Sequence, residues 1–117
     1  LQPALGRVGG ILEAKKIASM AEASYAQIAP HLYCGPIEGA ANIQLSTCSP
    51  NFLILEGIQR WDGFHAEILK KPIHWESGYV IPSSEPGIGV ELDEEVALAN
   101  PYNETALHLE MVDKPIR

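Results

Sequence analysis

Apolar and charged positions follow two different periods along the first half of the chain. Ile11, Ala14, Ala18 and Ala21 share one face at a three-to-four spacing, while Glu13, Lys16 and Glu22 lie mostly off it. That spacing predicts a helix over "ILEAKKIASMAEA". The stretch before it, "LQPALGRVGG", reads as a strand end followed by a glycine-rich turn. "AQIAP" reads as a short buried strand. Gly35-Pro36 then opens a second helix, with proline in the first turn where its missing N–H costs nothing. Ala41, Leu45 and Cys48 supply its apolar stripe, and Ser49-Pro50 ends it. "FLILE" has four consecutive apolar residues and no solvated face, the pattern of a parallel strand covered on both sides. The order strand, helix, strand, helix, strand predicts a parallel α/β fold, barrel or doubly wound.

After Gly57 the pattern loosens into turns. Short strands are expected at Ile73–Trp75 and Tyr79–Ile81, and a short helix in "LDEEVALAN" capped by Asp93. The end, "PYNETALHLEMVDKPIR", reads as a final strand or an extended tail. The chain opens on Leu1, at what looks like the end of a strand, so it reads as a piece of a longer protein.

Composition narrows the function classes. The 117 residues suffice for one modest domain, 46% of them are hydrophobic, and the formal charge is −7. A negative chain is a poor partner for nucleic acid or an anionic membrane. No apolar run is long enough to span a bilayer. Cys34 and Cys48 form no CxxC motif, which fits a cytoplasmic protein with reduced thiols.

The candidate chemistry lies where strands end. His31 follows "QIAP" directly and Glu56 closes "FLILE". In parallel α/β folds active sites gather at the carboxyl ends of strands. A histidine there can exchange a proton near neutral pH, and a carboxylate can orient a substrate hydroxyl. The residues alone favour the plainer reading, a satisfied loop histidine and a helix-capping or surface carboxylate. Other pairings are weaker. His31 and Cys34 lack a second pair of zinc ligands, and nothing marks Cys34 as an activated nucleophile. His65-Ala66-Glu67 matches half of a zinc-deaminase signature, without its C-x-x-C. Gly9-Gly10 could seat a phosphate or simply make a turn. Trp61 and Trp75 could cover a ligand or pack. His74 and His108 carry no constellation.

"LQPALGRVGGILEAKKIASMAEA", "IAPHLYCGPI", "NFLILEG" and "GYVIPSSEPGIGVELDEE", in this order, resemble the carboxyl-terminal part of the enolase superfamily's mandelate racemase/muconate lactonizing enzyme-like branch. The likeness is greatest to that branch's sugar-acid dehydratases. It implies an α/β fold, the C-terminal part of a modified (β/α)7β TIM-type barrel plus the C-terminal return into an α+β capping domain. Residues 1–70 would be the last barrel strands and helices. Residues 71–117 would pack on the barrel and capping domain.

The implied chemistry is that of a carbon–oxygen lyase, or a related racemase. A base removes the proton next to a sugar-acid carboxylate, and Mg2+ stabilises the enediolate. His31 matches the family's general acid–base histidine. Glu56 matches the glutamate that bonds the substrate carboxylate and its charged intermediate. The implied partners are the N-terminal part of the same protein and further copies in a homo-oligomer. Two departures stand out. The family's usual aspartate after "QP" is Ala4 here, so His31 is expected to lack its carboxylate partner. The family's Mg2+ ligands fall on strands before Leu1, so none is expected in this chain. Loss of catalysis with retained binding, or a structural role completing a partner chain, are the competing readings.

Overall fold

A computed structural model describes residues 1–57 and 61–102. Its elements run α1 (Leu5–Val8), α2 (Ile11–Ala23), α3 (Pro36–Thr47), α4 (Phe64–Glu67), β1 (His74–Glu76), β2 (Tyr79–Ile81) and α5 (Glu94–Ala99). The expected tail and His108 lie in 103–117, outside the described residues.

The first half is organised by three extended segments lying parallel. The middle one, 27–31, is bonded on both sides. On one side the Leu1 ammonium donates to Gln27 O at 2.8 Å. Ala29 N–H then donates to Leu1 O at 2.8 Å, and His31 N–H to Pro3 O at 3.0 Å. On the other side Ile28 N–H donates to Asn51 O at 2.9 Å, and Leu53 N–H to Ile28 O at 2.8 Å. Ile28 and Phe52 form a parallel bridge. The expected strand–helix–strand–helix–strand order is therefore present, with short pairing rather than long strands. Parallel neighbours need a crossover, and α2 and α3 supply the two crossovers.

Helix α2 spans the expected residues and buries Ala14, Ala18 and Ala21. Small residues on this face let it lie close: Ala18 and Ala21 pack on Ile28, and Ala14 packs with Leu5 and Leu45. Ile11, expected on the same face, is exposed. The turn before α2 uses Gly9 and Gly10, with φ of 102° and 94°, values that favour glycine. Asn51 closes the joint, its amide donating to Ala18 O and Ala26 O at 2.9 Å each.

Two expectations are corrected here. Of the stripe expected on α3, Leu45 is buried and Ala41 packs beside it, but Cys48 is exposed, and the buried face also includes Gly39, Ala40 and Ile43. "FLILE" is not fully covered, since Leu53 is 60% and Ile54 62% exposed. Adjacent residues of an extended chain point to opposite faces, so both faces are only partly covered by the described residues there. An open cleft of ≈ 840 Å³ runs along this stretch, lined by Leu53, Ile54, Leu55, Glu56, Trp75 and Tyr79 among others.

The second half is held by local pairing. β1 and β2 form an antiparallel hairpin with Trp75 opposite Val80. Asp93 N–H donates to Ile68 O at 2.8 Å and Lys70 N–H to Glu91 O at 2.9 Å, closing the loop that contains the hairpin. The Lys70 ammonium pairs with Glu91 across the same junction. Asp93 caps α5 as expected, accepting from Glu95 N–H and Val96 N–H at 3.1 Å.

Trp61 joins the halves. Its indole N–H donates to Cys34 O at 3.1 Å, and its ring lies 5.8 Å from that of Trp75. A Cβ on Gly39 would fall 2.4 Å from the Trp61 ring, so only glycine admits this approach. Nearby, Glu38 accepts from Gly6 N–H at 2.9 Å and from the Cys34 thiol. Burial, and then Glu38, push the Cys34 thiol up to about 12.

Two predictions follow from these contacts. Asn51→Ala in the intact protein should cost about 1–3 kcal/mol of stability, because two carbonyls lose their donor; an unchanged denaturation midpoint would show the amide to be dispensable. Iodoacetamide near pH 8 should alkylate the exposed Cys48 and spare Cys34, since only a thiolate attacks. Peptide mass spectrometry reads this, and labelling of Cys34 as fast as Cys48 would contradict it.

Candidate active site

The site forms where the extended segments end. Backbone pairing aligns 27–31 with 1–3 and 51–53, so the three chains leave the ladder at the same edge. His31 leaves from the middle segment. Pro30 before it is buried, as is Leu32 after it, which leaves the imidazole little freedom. Glu56 leaves from the third segment, beyond the Ile28–Phe52 bridge.

The two side chains meet. His31 Nδ1–H donates to Glu56 Oε2 at 2.5 Å, and Leu32 N–H donates to the same oxygen at 3.2 Å. The histidine and carboxylate side chains remain 39% and 41% exposed, so the pair is open to a ligand. The expectation that Ala4 leaves His31 without a carboxylate is therefore corrected. Pro3 O accepts the His31 N–H, which sets Ala4 alongside the histidine at the end of the first segment. Its methyl cannot accept a hydrogen bond, and Glu56 from the opposite neighbour takes that place. The sequence put both residues at strand ends but did not reveal that the register joins them.

The arrangement has chemical consequences. A carboxylate at Nδ1 fixes the tautomer and leaves Nε2 as the nitrogen that can exchange a proton. No described residue bonds Nε2. Glu56 Oε1 likewise has no bonded partner among the described residues. Among the described residues the pair thus offers one proton-transfer atom and one unbonded carboxylate oxygen at the ladder edge.

The other candidates do not join this site. Cys34 bonds Glu38 and keeps its proton, which is the reverse of nucleophile activation. His74 lies in the hairpin 3.9 Å from Glu76, well exposed. His65 stands in α4 beside Phe64, with ring centroids 5.7 Å apart. Gly9 and Gly10 make the turn between α1 and α2. Among the described residues, no three His, Cys, Asp or Glu side chains lie close enough to hold a metal ion, so these residues do not fit a Mg2+ site. No described helix is long and apolar enough to cross a membrane. Trp61 packs on Gly39 and donates its indole N–H to the Cys34 carbonyl, at the loop after His31.

Comparison with known proteins gives the family. The family model for the enolase C-terminal domain-like family matches residues 1–96. The chain is 43% identical over 107 residues to a D-galactonate dehydratase of Cronobacter sakazakii, covering 85% of this chain and 28% of that protein. It is thus about a quarter of the length of such relatives. A mandelate racemase/muconate lactonizing enzyme from Sulfitobacter sp. superposes with a TM-score of 0.85 at 53% identity, covering 100% of this chain and 29% of that one. An enolase from Pantoea ananatis with bound D-gluconate and Mg superposes at 0.77 with 31% identity, covering 84% and 24%. With the matched model spanning both halves of the described structure, the chain belongs to the enolase C-terminal domain-like family.

Proposed function

We propose that the intact protein is an acid-sugar dehydratase, or a related racemase, that removes the proton next to a carboxylate, and that this chain supplies its His31–Glu56 pair. The observation that carries the reading is the Nδ1–Oε2 contact of 2.5 Å at the edge where the parallel segments end. A non-catalytic binding role was suggested chiefly by Ala4, and Glu56 now supplies the carboxylate that Ala4 lacks. Similarity to D-galactonate dehydratases and to a D-gluconate-bound enolase supports a sugar acid as substrate class.

In this reading His31 Nε2 takes or gives the proton, either at the carbon next to the substrate carboxylate or at the departing hydroxyl. Glu56 Oε2 holds the imidazole in the right tautomer and balances its charge when protonated. Glu56 Oε1 accepts from a substrate hydroxyl. The Mg2+ requirement is proposed for the intact protein, with ligands outside this chain. Residues 1–70 are assigned to the end of the barrel, and residues 71–117 to the return segment over the barrel and capping domain. A cytoplasmic, homo-oligomeric enzyme is part of the same proposal.

His31→Asn in the intact protein should lower turnover of the sugar acid by at least about 100-fold, the lower end of what general acid–base groups contribute. Substrate binding should be largely kept. Glu56→Gln should also lower turnover while moving the thermal midpoint by only a few degrees, because a half-exposed carboxylate leaves no core cavity. Parent-level turnover by His31→Asn would overturn the reading.

A further inference from the structure

We propose that Trp61 is a positioning residue for the His31–Glu56 pair, acting through the loop that joins His31 to α3. The inference rests on reading that pair as the proton-transfer site. The loop covers residues 32–35 and is held by specific contacts near both ends. At its start Leu32 N–H reaches Glu56 Oε2 at 3.2 Å. Near its end the Cys34 carbonyl accepts the Trp61 indole N–H at 3.1 Å. The Cys34 thiol bonds Glu38 in the first turn of α3.

The Trp61 ring is fixed independently of that hydrogen bond. It lies on Gly39, one residue beyond Glu38, where a Cβ would come within 2.4 Å of it. From another side Trp75 lies at 5.8 Å with a 53° tilt. A ring seated against a helix backbone has little room to shift, so its N–H holds the Cys34 carbonyl at a set height above α3. Cys34 is three residues after His31, and Trp61 is five residues after Glu56. The two chain segments that present the pair are thus tied together again just beyond it. Trp61 is uncharged and contacts the loop, α3 and Trp75, so its effect on the chemistry passes through His31 and Glu56.

The test uses the intact protein. Trp61→Phe keeps an aromatic ring and removes only the N–H. Gly39→Ala puts a methyl where the ring sits. In protein labelled with 15N-histidine, the His31 Nδ1 proton should give a far-downfield resonance, assigned by its loss in His31→Asn. We expect that resonance to move upfield or broaden away in Trp61→Phe and in Gly39→Ala, as it should in Glu56→Ala. We also expect kcat to fall on the order of 10-fold or more with KM changed much less, as small misplacements of catalytic groups do. A parent resonance in Trp61→Phe would overturn the proposal and leave Trp61 a packing residue. The resonance decides the question even if His31→Asn proves active, so failure of the functional reading stays distinguishable from failure of this one.

Discussion

The structure depends on the middle segment, 27–31, being hydrogen-bonded along both edges. Buried backbone groups must be paired, and here the pairing partners come from the first segment on one side and the third on the other. That constraint sets the register of three chains at once. It places α2 and α3 as crossovers and packs Ala18 and Ala21 of α2 against Ile28. It also decides which residues emerge together at the end of the ladder. His31 and Glu56 meet because the segments carrying them are neighbours in that register.

The meeting of an imidazole with a carboxylate at 2.5 Å gives the fold its chemical direction. Position 4, on the far side of His31, carries only a methyl group. The carboxylate therefore comes from the third segment, and one of its oxygens is shared between the ring and the Leu32 N–H. A single residue then both orients the histidine and faces the open side of the site. The contacts that steady this edge are non-local. Glu38 ties α3 to Gly6 and Cys34, and Trp61 ties the later chain to the same loop.

Much of this is legible in the residues, and most of the rest turns on contacts between distant segments. The bounds of α2 followed from its apolar spacing and the glycines before it, and Asp93 announced its helix by capping chemistry. Helix α1 was read as a strand end and turn, because four residues containing Gly6 carry too little periodicity to show a helix. The buried face of α3 was misassigned because Gly39 is buried by Trp61, a contact that no local pattern contains. "FLILE" has no polar face, and within this chain, about a quarter of its relatives' length, Leu53 and Ile54 border the open cleft. The histidine and glutamate are each singled out by their position after a strand. Their contact is not, because it arises from register between segments distant in the chain.

The central claim is that His31 and Glu56 act as one unit. A double-mutant cycle on the intact protein measures this directly, from turnover of the proposed sugar-acid substrate by His31→Asn, Glu56→Gln and the double variant. If the pair is a unit, the double variant should lose about as much activity as His31→Asn alone, since groups acting together are strongly non-additive. Losses that multiply would show two independent residues and contradict the account.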